Sequence, residues 1–182
     1  MVNEMLQSGN NPFEGLKPPM PVISTLQNLN EFDGRQSETA MAIRRGILRG
    51  MAETDMVFLP ELTLSGGRRA DLVGLDRKGM VIVIEIKSSV ADFQVDKKWH
   101  EYKDFCDRFY FATHPDVPSH IFPEDEGFIL ADEHGCEIIR EAQAGKLKPA
   151  TRKALTLRFA RSAALRTKRL TLHEQFTEPQ ED

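Results

Sequence analysis

The chain has 182 residues, 40% of them hydrophobic and 29% charged, the composition of one ordinary soluble domain with a sizeable core. The longest apolar run, Met80 to Ile84, is too short to span a bilayer, and no basic segment with an apolar core marks a secretory leader. No membrane association and a cytoplasmic location are therefore expected. Two cysteines, Cys106 and Cys136, cannot build a disulfide framework, and five dispersed histidines without a CxxC pair argue against a Cys/His zinc site.

Residues 1–34 carry Gly9-Asn10-Asn11-Pro12, Pro18-Pro19 and Pro21 with little periodicity, and read as a flexible or loosely docked segment with one short element over Val22 to Leu29. The domain itself is expected over 35–170. Its first helix runs from Gln36 to Met51: Ala40, Ile43, Ile47 and Met51 recur at helical spacing, Ser37 is the N-cap, and Arg44, Arg45 and Arg49 reach solvent. Gly46 lowers the interior propensity of this helix.

The pattern then shortens. Met56 to Leu64, Ala70 to Leu75 and Met80 to Lys87, separated by the turns Ser65-Gly66-Gly67 and Asp76 to Gly79, predict an antiparallel meander. A second helix is predicted from Asp92, its cap, to Asp107, with Val95, Trp99, Tyr102 and Cys106 as the apolar stripe. Phe109 to Ala112 follows as a strand that the crossover places parallel to the meander. Phe128 to Leu130 and Cys136 to Ile139 flank Asp132-Glu133-His134-Gly135 as a hairpin, Gly135 supplying a left-handed turn residue. A third helix covers Thr151 to Arg166, with Leu155, Phe159, Ser162 and Arg166 on one face, widened by Leu157, Ala160 and Ala164. Residues 171–182 form an acidic tail.

The net charge of −4 hides an asymmetry: ten Lys or Arg residues against Glu141 alone between Arg140 and Arg169. That stretch suits phosphates, and equally a solvated face with packed arginine stems.

Chemistry is concentrated in Ala70-Asp71-Leu72-Val73 and Val83-Ile84-Glu85-Ile86-Lys87. Strand side chains alternate, so Glu85 and Lys87 share a face, and pairing across the Asp76–Gly79 turn brings Asp71 beside them. Two carboxylates suit a hard cation, Mg²⁺ or Mn²⁺, which polarises a phosphate and lowers the pKa of water; a lysine beside them orients water or steadies charge on a phosphate oxygen. The alternative is a Glu–Lys pair that only keeps a strand end wet.

Asp71, Glu85 and Lys87, at this spacing and in this order of elements, resemble the PD-(D/E)xK nuclease superfamily, which implies an α/β fold with a restriction-endonuclease-like mixed sheet flanked by helices. More narrowly, Arg68-Arg69-Ala70-Asp71-Leu72, Glu85-Ile86-Lys87-Ser88-Ser89, Asp92-Phe93, Asp96-Lys97-Lys98-Trp99, Tyr102, Cys106-Asp107 and Phe109-Tyr110-Phe111-Ala112 resemble the MmcB-like DNA repair proteins. The Ala131-Asp132 hairpin and Arg152-Lys153-Ala154-Leu155 extend the likeness over most of the chain. Ala70 stands where the superfamily often has proline, a mild departure because proline ligates nothing.

The resemblance implies a bacterial, metal-dependent DNA endonuclease of repair, with Asp71 and Glu85 as metal ligands and Lys87 as the third catalytic residue. The alternative is a DNA-binding repair scaffold with a nuclease-like site that turns over weakly or not at all. Glu38, on the first helix, and Glu61, before the Asp strand, are the candidate supporting acids, with Gln94 a further supporting candidate. Arg68, Arg69, Lys97, Lys98, Arg152 and Lys153 are the candidate DNA contacts. DNA is the expected partner, a repair protein and a second copy of the chain being further candidates. No nucleotide-binding glycine loop is present, which argues against an intrinsic ATP-driven motor.

Overall fold

A computed structural model describes residues 37–177, with side chains through residue 172. The readings of residues 1–34, with the element at Val22 to Leu29, and of the last residues of the tail lie outside the described part. In chain order the elements are α1 (Glu38–Gly50), β1 (Val57–Thr63), β2 (Arg69–Leu75), β3 (Val81–Lys87), α2 (Val90–Val95), a 3-10 helix (Trp99–Phe105), β4 (Arg108–Thr113), a 3-10 turn (Ser119–Ile121), β5 (Gly127–Ala131), β6 (Cys136–Arg140) and α3 (Pro149–Thr177).

The six strands form one mixed sheet in chain order, antiparallel at β1–β2–β3, parallel at β3–β4–β5 and antiparallel again at β5–β6. The predicted meander, parallel crossover and hairpin are all present, as is the expected α/β class. β3 is buried along its whole length, because helices cover both faces. On one face α1 lays Ile43, Ile47 and Met51 over Leu72, Ile82, Ile84, Tyr110 and Ile129. On the other, Trp99 and Tyr102 of the 3-10 helix and Leu155 and Phe159 of α3 cover Val73, Val83, Phe109 and Phe111. Trp99 is a core anchor, its ring 5.6 Å from Phe109 and 5.0 Å from Phe111.

Several local expectations are corrected. Arg44 does not reach solvent but is buried under α1. The helix predicted from Asp92 to Asp107 is broken at Asp96 into α2 and the 3-10 helix, and Val95 leaves the apolar stripe for solvent. The cap of α2 is Ser89, whose Oγ accepts from Asp92 N, while Asp92 reaches back to accept from Ser88 N. Gly135 is not in the left-handed region; Gly67 and Gly79, in the two earlier turns, are. α3 continues to Thr177, beyond the predicted end, and Leu157, Ala160 and Ala164 lie on its exposed side.

Two contacts set the helices on the sheet. A Cβ on Gly46 would stand 1.8 Å from the carbonyl oxygen of Asp132, so α1 crosses the β5–β6 turn at backbone contact. Arg152, near the start of α3, donates to both carboxylate oxygens of Asp107 at 2.7 Å, and Asp107 also accepts from Val81 N at 2.8 Å and Leu147 N at 3.1 Å.

Candidate metal centre

The register across the meander builds the site. Pro60 faces Leu72 and Leu62 faces Ala70, so Glu61 of β1 stands abreast of Asp71 of β2; Leu72 faces Ile84, so Asp71 stands abreast of Glu85 of β3. Asp71, Glu85 and Lys87 belong to the face covered by α3 and the 3-10 helix, since Val73, two residues from Asp71, and Val83, two residues from Glu85 and four from Lys87, pack there.

Asp71 Oδ2 accepts from Ile86 N across the strand pair at 2.8 Å, which fixes its carboxylate. Glu85 and Lys87 are buried, 6% and 3% exposed, although both end an apolar strand. Lys87 Nζ donates to Glu85 Oε1 at 3.2 Å and to Asp96 Oδ2 at 2.7 Å. Asp96 is where the predicted long helix breaks: its Oδ1 accepts from Lys98 N at 3.1 Å and faces Arg68 at 3.5 Å. Tyr102 OH donates to Arg69 O at 3.0 Å and ties the 3-10 helix to the start of β2.

Burial pushes the Asp71 carboxyl up to about 6, against the Ile86 hydrogen bond and the charge of Lys87. Burial, and then the negative charge of Asp71, push Glu85 up to about 8 against the pull of Lys87. Desolvation pulls the Lys87 ammonium down, but Glu85 and Asp96 outweigh it and hold the lysine above its ordinary value. Asp96 sits below the usual carboxylate range: its burial is outweighed by the Lys87 hydrogen bond and charge. Two acids that favour a shared proton beside a firmly charged lysine form an environment short of positive charge.

Glu85 Oε2 is buried and has no hydrogen-bond partner among the described residues. An orphaned carboxylate oxygen beside a second carboxylate fits a small divalent ion, and two carboxylates with water completing the shell suit Mg²⁺ or Mn²⁺. Among the described residues no group of three or more His, Cys, Asp or Glu gathers as a ligand set.

The supporting candidates separate. Glu61 lies in the same cross-strand row but has φ +53°, a left-handed conformation that costs a bulky residue about 1–2 kcal/mol. Its side chain, 7% exposed, lies 3.9 Å from Arg44 Nη1 and 3.5 Å from Arg69 Nη1. Glu38 is exposed at the start of α1, on the wall of a cavity of about 530 Å³ shared with Ser88 and His114. Gln94 is exposed on α2, and Lys97, Lys98 and Lys153 are exposed. Arg68 is held by Asp96, Lys98 O and the Tyr102 ring, and Arg152 by Asp107. Sequence reasoning missed Asp96, Arg44 and Arg166. Asp96 was read only as part of Asp96-Lys97-Lys98-Trp99, with no role at the site, and the two arginines sit where helical periodicity alone does not separate a packed stem from a solvated one.

A comparison with curated proteins gives no match. Among solved structures, a protein of unknown function from Silicibacter pomeroyi is similar at 35% identity with a TM-score of 0.69, over 81% of this chain and 99% of that one. The family model described as DNA repair protein MmcB-like matches residues 27–174, which include every strand and all the site residues above. The chain therefore belongs to the MmcB-like family of DNA repair proteins.

Proposed function

We propose that the chain is a metal-dependent DNA endonuclease of repair, hydrolysing phosphodiester bonds at Asp71, Glu85 and Lys87. The observation that carries this reading is the buried Glu85: one oxygen bonded to Lys87, the other without a partner, beside Asp71. Asp71 and Glu85 would hold Mg²⁺ or Mn²⁺. When bound, such an ion polarises a phosphate and lowers the pKa of water. Lys87, kept charged by Glu85 and Asp96, does not accept a proton from water in this state. It orients water through its N–H groups and steadies negative charge on a phosphate oxygen. Asp96 acts through Lys87, holding the ammonium in place at 2.7 Å.

A purified-protein assay over duplex, nicked, branched and single-stranded DNA with Mg²⁺ or Mn²⁺ tests the reading. Cleavage by the wild type and its loss in folded Glu85→Gln is the expected result. Equal cleavage by the two overturns it. The alternative is a DNA-binding repair scaffold with a nuclease-like site that turns over weakly or not at all. Tight binding of structured DNA without cleavage under any metal would establish it instead.

A further inference from the structure

The charge of α3 is all of one sign. Residues 149–172 hold seven Lys or Arg and no Asp or Glu. Three of the seven are taken up by the fold. Arg152 donates to Asp107 and to Gly79 O, Arg158 donates to Thr63 O at 2.9 Å and to Leu64 O at 3.2 Å, and Arg166 is half-buried. The other four, Lys153, Arg161, Lys168 and Arg169, are exposed and make no hydrogen bond or ion pair among the described residues.

Helical geometry sets three of these cations in a row. Leu155 and Phe159 pack on the sheet, and Lys153, Arg161 and Lys168 fall on the opposite side of the helix, within about 80° of one another. They are eight and seven residues apart, about 12 and 10.5 Å along the axis, so the row spans about 22 Å. Leu157 and Ala164 lie between them, exposed and uncharged, while Arg169 lies off the row. After Phe159 no described side chain of α3 is buried, so packing on the domain holds the second half of the helix only weakly.

The charge pattern decides what such a face takes. A second copy meeting α3 with α3 would set like charge against like, which disfavours association. A membrane surface takes a helix whose apolar and basic residues lie on opposite sides. On α3, Leu157, Leu165 and Leu172 are exposed and share the outer side with Arg161 and Lys168. A phosphodiester backbone needs no such segregation. Each strand of a duplex presents one charge per ~3.4 Å of axis, so the row spans about six base pairs. Asn, Gln, Asp and Glu, which read adenine and cytosine edges, are absent from 149–172, so contacts here position a duplex rather than specify its sequence.

We propose that Lys153, Arg161 and Lys168 form a phosphate rail on the outer side of α3, which holds the backbone of duplex DNA without regard to sequence. Of the two neighbouring candidate contacts, Lys153 belongs to the rail and Arg152 pins the helix to the domain. The inference deepens the nuclease reading by naming a surface that holds its substrate. It rests on that reading only for the choice of DNA as the polyanion, and its test needs no cleavage.

The full chain is titrated in chelator against labelled duplexes of two unrelated sequences over a range of salt concentrations. The wild type binds both alike. Each of Lys153→Gln, Arg161→Gln and Lys168→Gln weakens binding about tenfold near about 50 mM salt, and the triple variant lowers the slope of log K against log salt by about 2.7, the counterions of three phosphate contacts. Unchanged affinity and slope in the triple variant overturn the rail, as does a wild type whose binding ignores salt. All three positions are exposed and glutamine is a good helix former, so circular dichroism should match the wild type. Should the triple variant lose helix, the single variants carry the test beside Arg161→Lys, which keeps the charge and binds as the wild type; binding as weak as in Arg161→Gln counts against the rail. Arg45→Gln removes an exposed cation from α1, on the opposite face of the sheet, and leaves affinity and slope unchanged. A loss there equal to that of Arg161→Gln traces binding to net charge and overturns the rail. Capture by phosphatidylglycerol vesicles that is lost in Leu165→Gln, with DNA binding indifferent to the three cations, reassigns the helix to a membrane surface. A protein that binds through the rail but never cuts refutes the nuclease reading alone; one that cuts while the triple variant binds as the wild type refutes the rail alone.

Discussion

At the scale of single residues, Lys87 is defined by its two acceptors. An ammonium pinned between Glu85 and Asp96 contributes charge at a fixed point. Lys87→Met should therefore lower cleavage by about 10²–10³-fold, the range for removing one donor aimed at developing charge. The cost to the fold is limited, because Glu85 already leans toward protonation and can take up a proton when the lysine is lost. Asp96→Asn keeps an oxygen for Lys98 N but withdraws the negative charge from Lys87, and a smaller loss of about tenfold is expected. Cleavage rates paired with thermal melts in one buffer check both; a Lys87→Met variant that cuts at the wild-type rate removes the lysine from the site.

At the scale of elements, Gly46 is where α1 meets the β5–β6 turn. Alanine in a helix interior ordinarily gains about 1 kcal/mol over glycine. Here its Cβ would fall 1.8 Å from a backbone oxygen, which cannot rotate away as a side chain would. Gly46→Ala should therefore destabilise by about 1–3 kcal/mol net, the cost of overpacking, and a raised melting temperature would contradict the close approach. The same residue shows what sequence could and could not tell. A glycine in an otherwise periodic helix reads as weak propensity; that it marks a contact with residues 86 positions away follows only from the fold. Alternation in Val83-Ile84-Glu85-Ile86-Lys87 made the shared face of Glu85 and Lys87 legible, and the short turn at Asp76–Gly79 made the register with Asp71 legible. The helix after Ser89 was misjudged because Val95, Trp99 and Tyr102 kept helical spacing across a break. The break exists because Asp96 turns aside to bind Lys87, Lys98 N and Arg68, contacts that no local pattern records. Arg44 was misplaced for a related reason: its partner, Glu61, is distant in sequence and adopts a backbone conformation that alternation does not foresee.

At the scale of the whole molecule, the same charges set the pH range of stability, and two groups pull in opposite directions. Asp107 and Asp96 sit below their ordinary values, through Arg152 and Lys87 respectively once their burial is outweighed; their contribution is present above the unfolded value and lost as the pH falls through the folded one. Asp71 and Glu85 are raised from 3.8 and 4.5, so theirs runs the other way: full below those values and lost as the pH rises through about 6 and about 8. In chelator the melting temperature should therefore peak in mildly acidic buffer and decline toward alkaline pH. Glu85→Gln, which imitates the protonated acid, should flatten the alkaline decline and leave the acid side unchanged. A cation held by Asp71 and Glu85 takes the place of the shared proton, so Mg²⁺ should raise the wild-type melting temperature more above pH 8 than below pH 6. At a hundred times its dissociation constant it would add about 2.7 kcal/mol, or about 5–10 °C at 2–4 °C per kcal/mol. Melts across pH, with and without Mg²⁺, in wild type and Glu85→Gln decide the matter. An Mg²⁺ shift of equal size in both proteins would mean that the ion binds elsewhere, and an alkaline decline of equal slope in both would remove Glu85 as its cause.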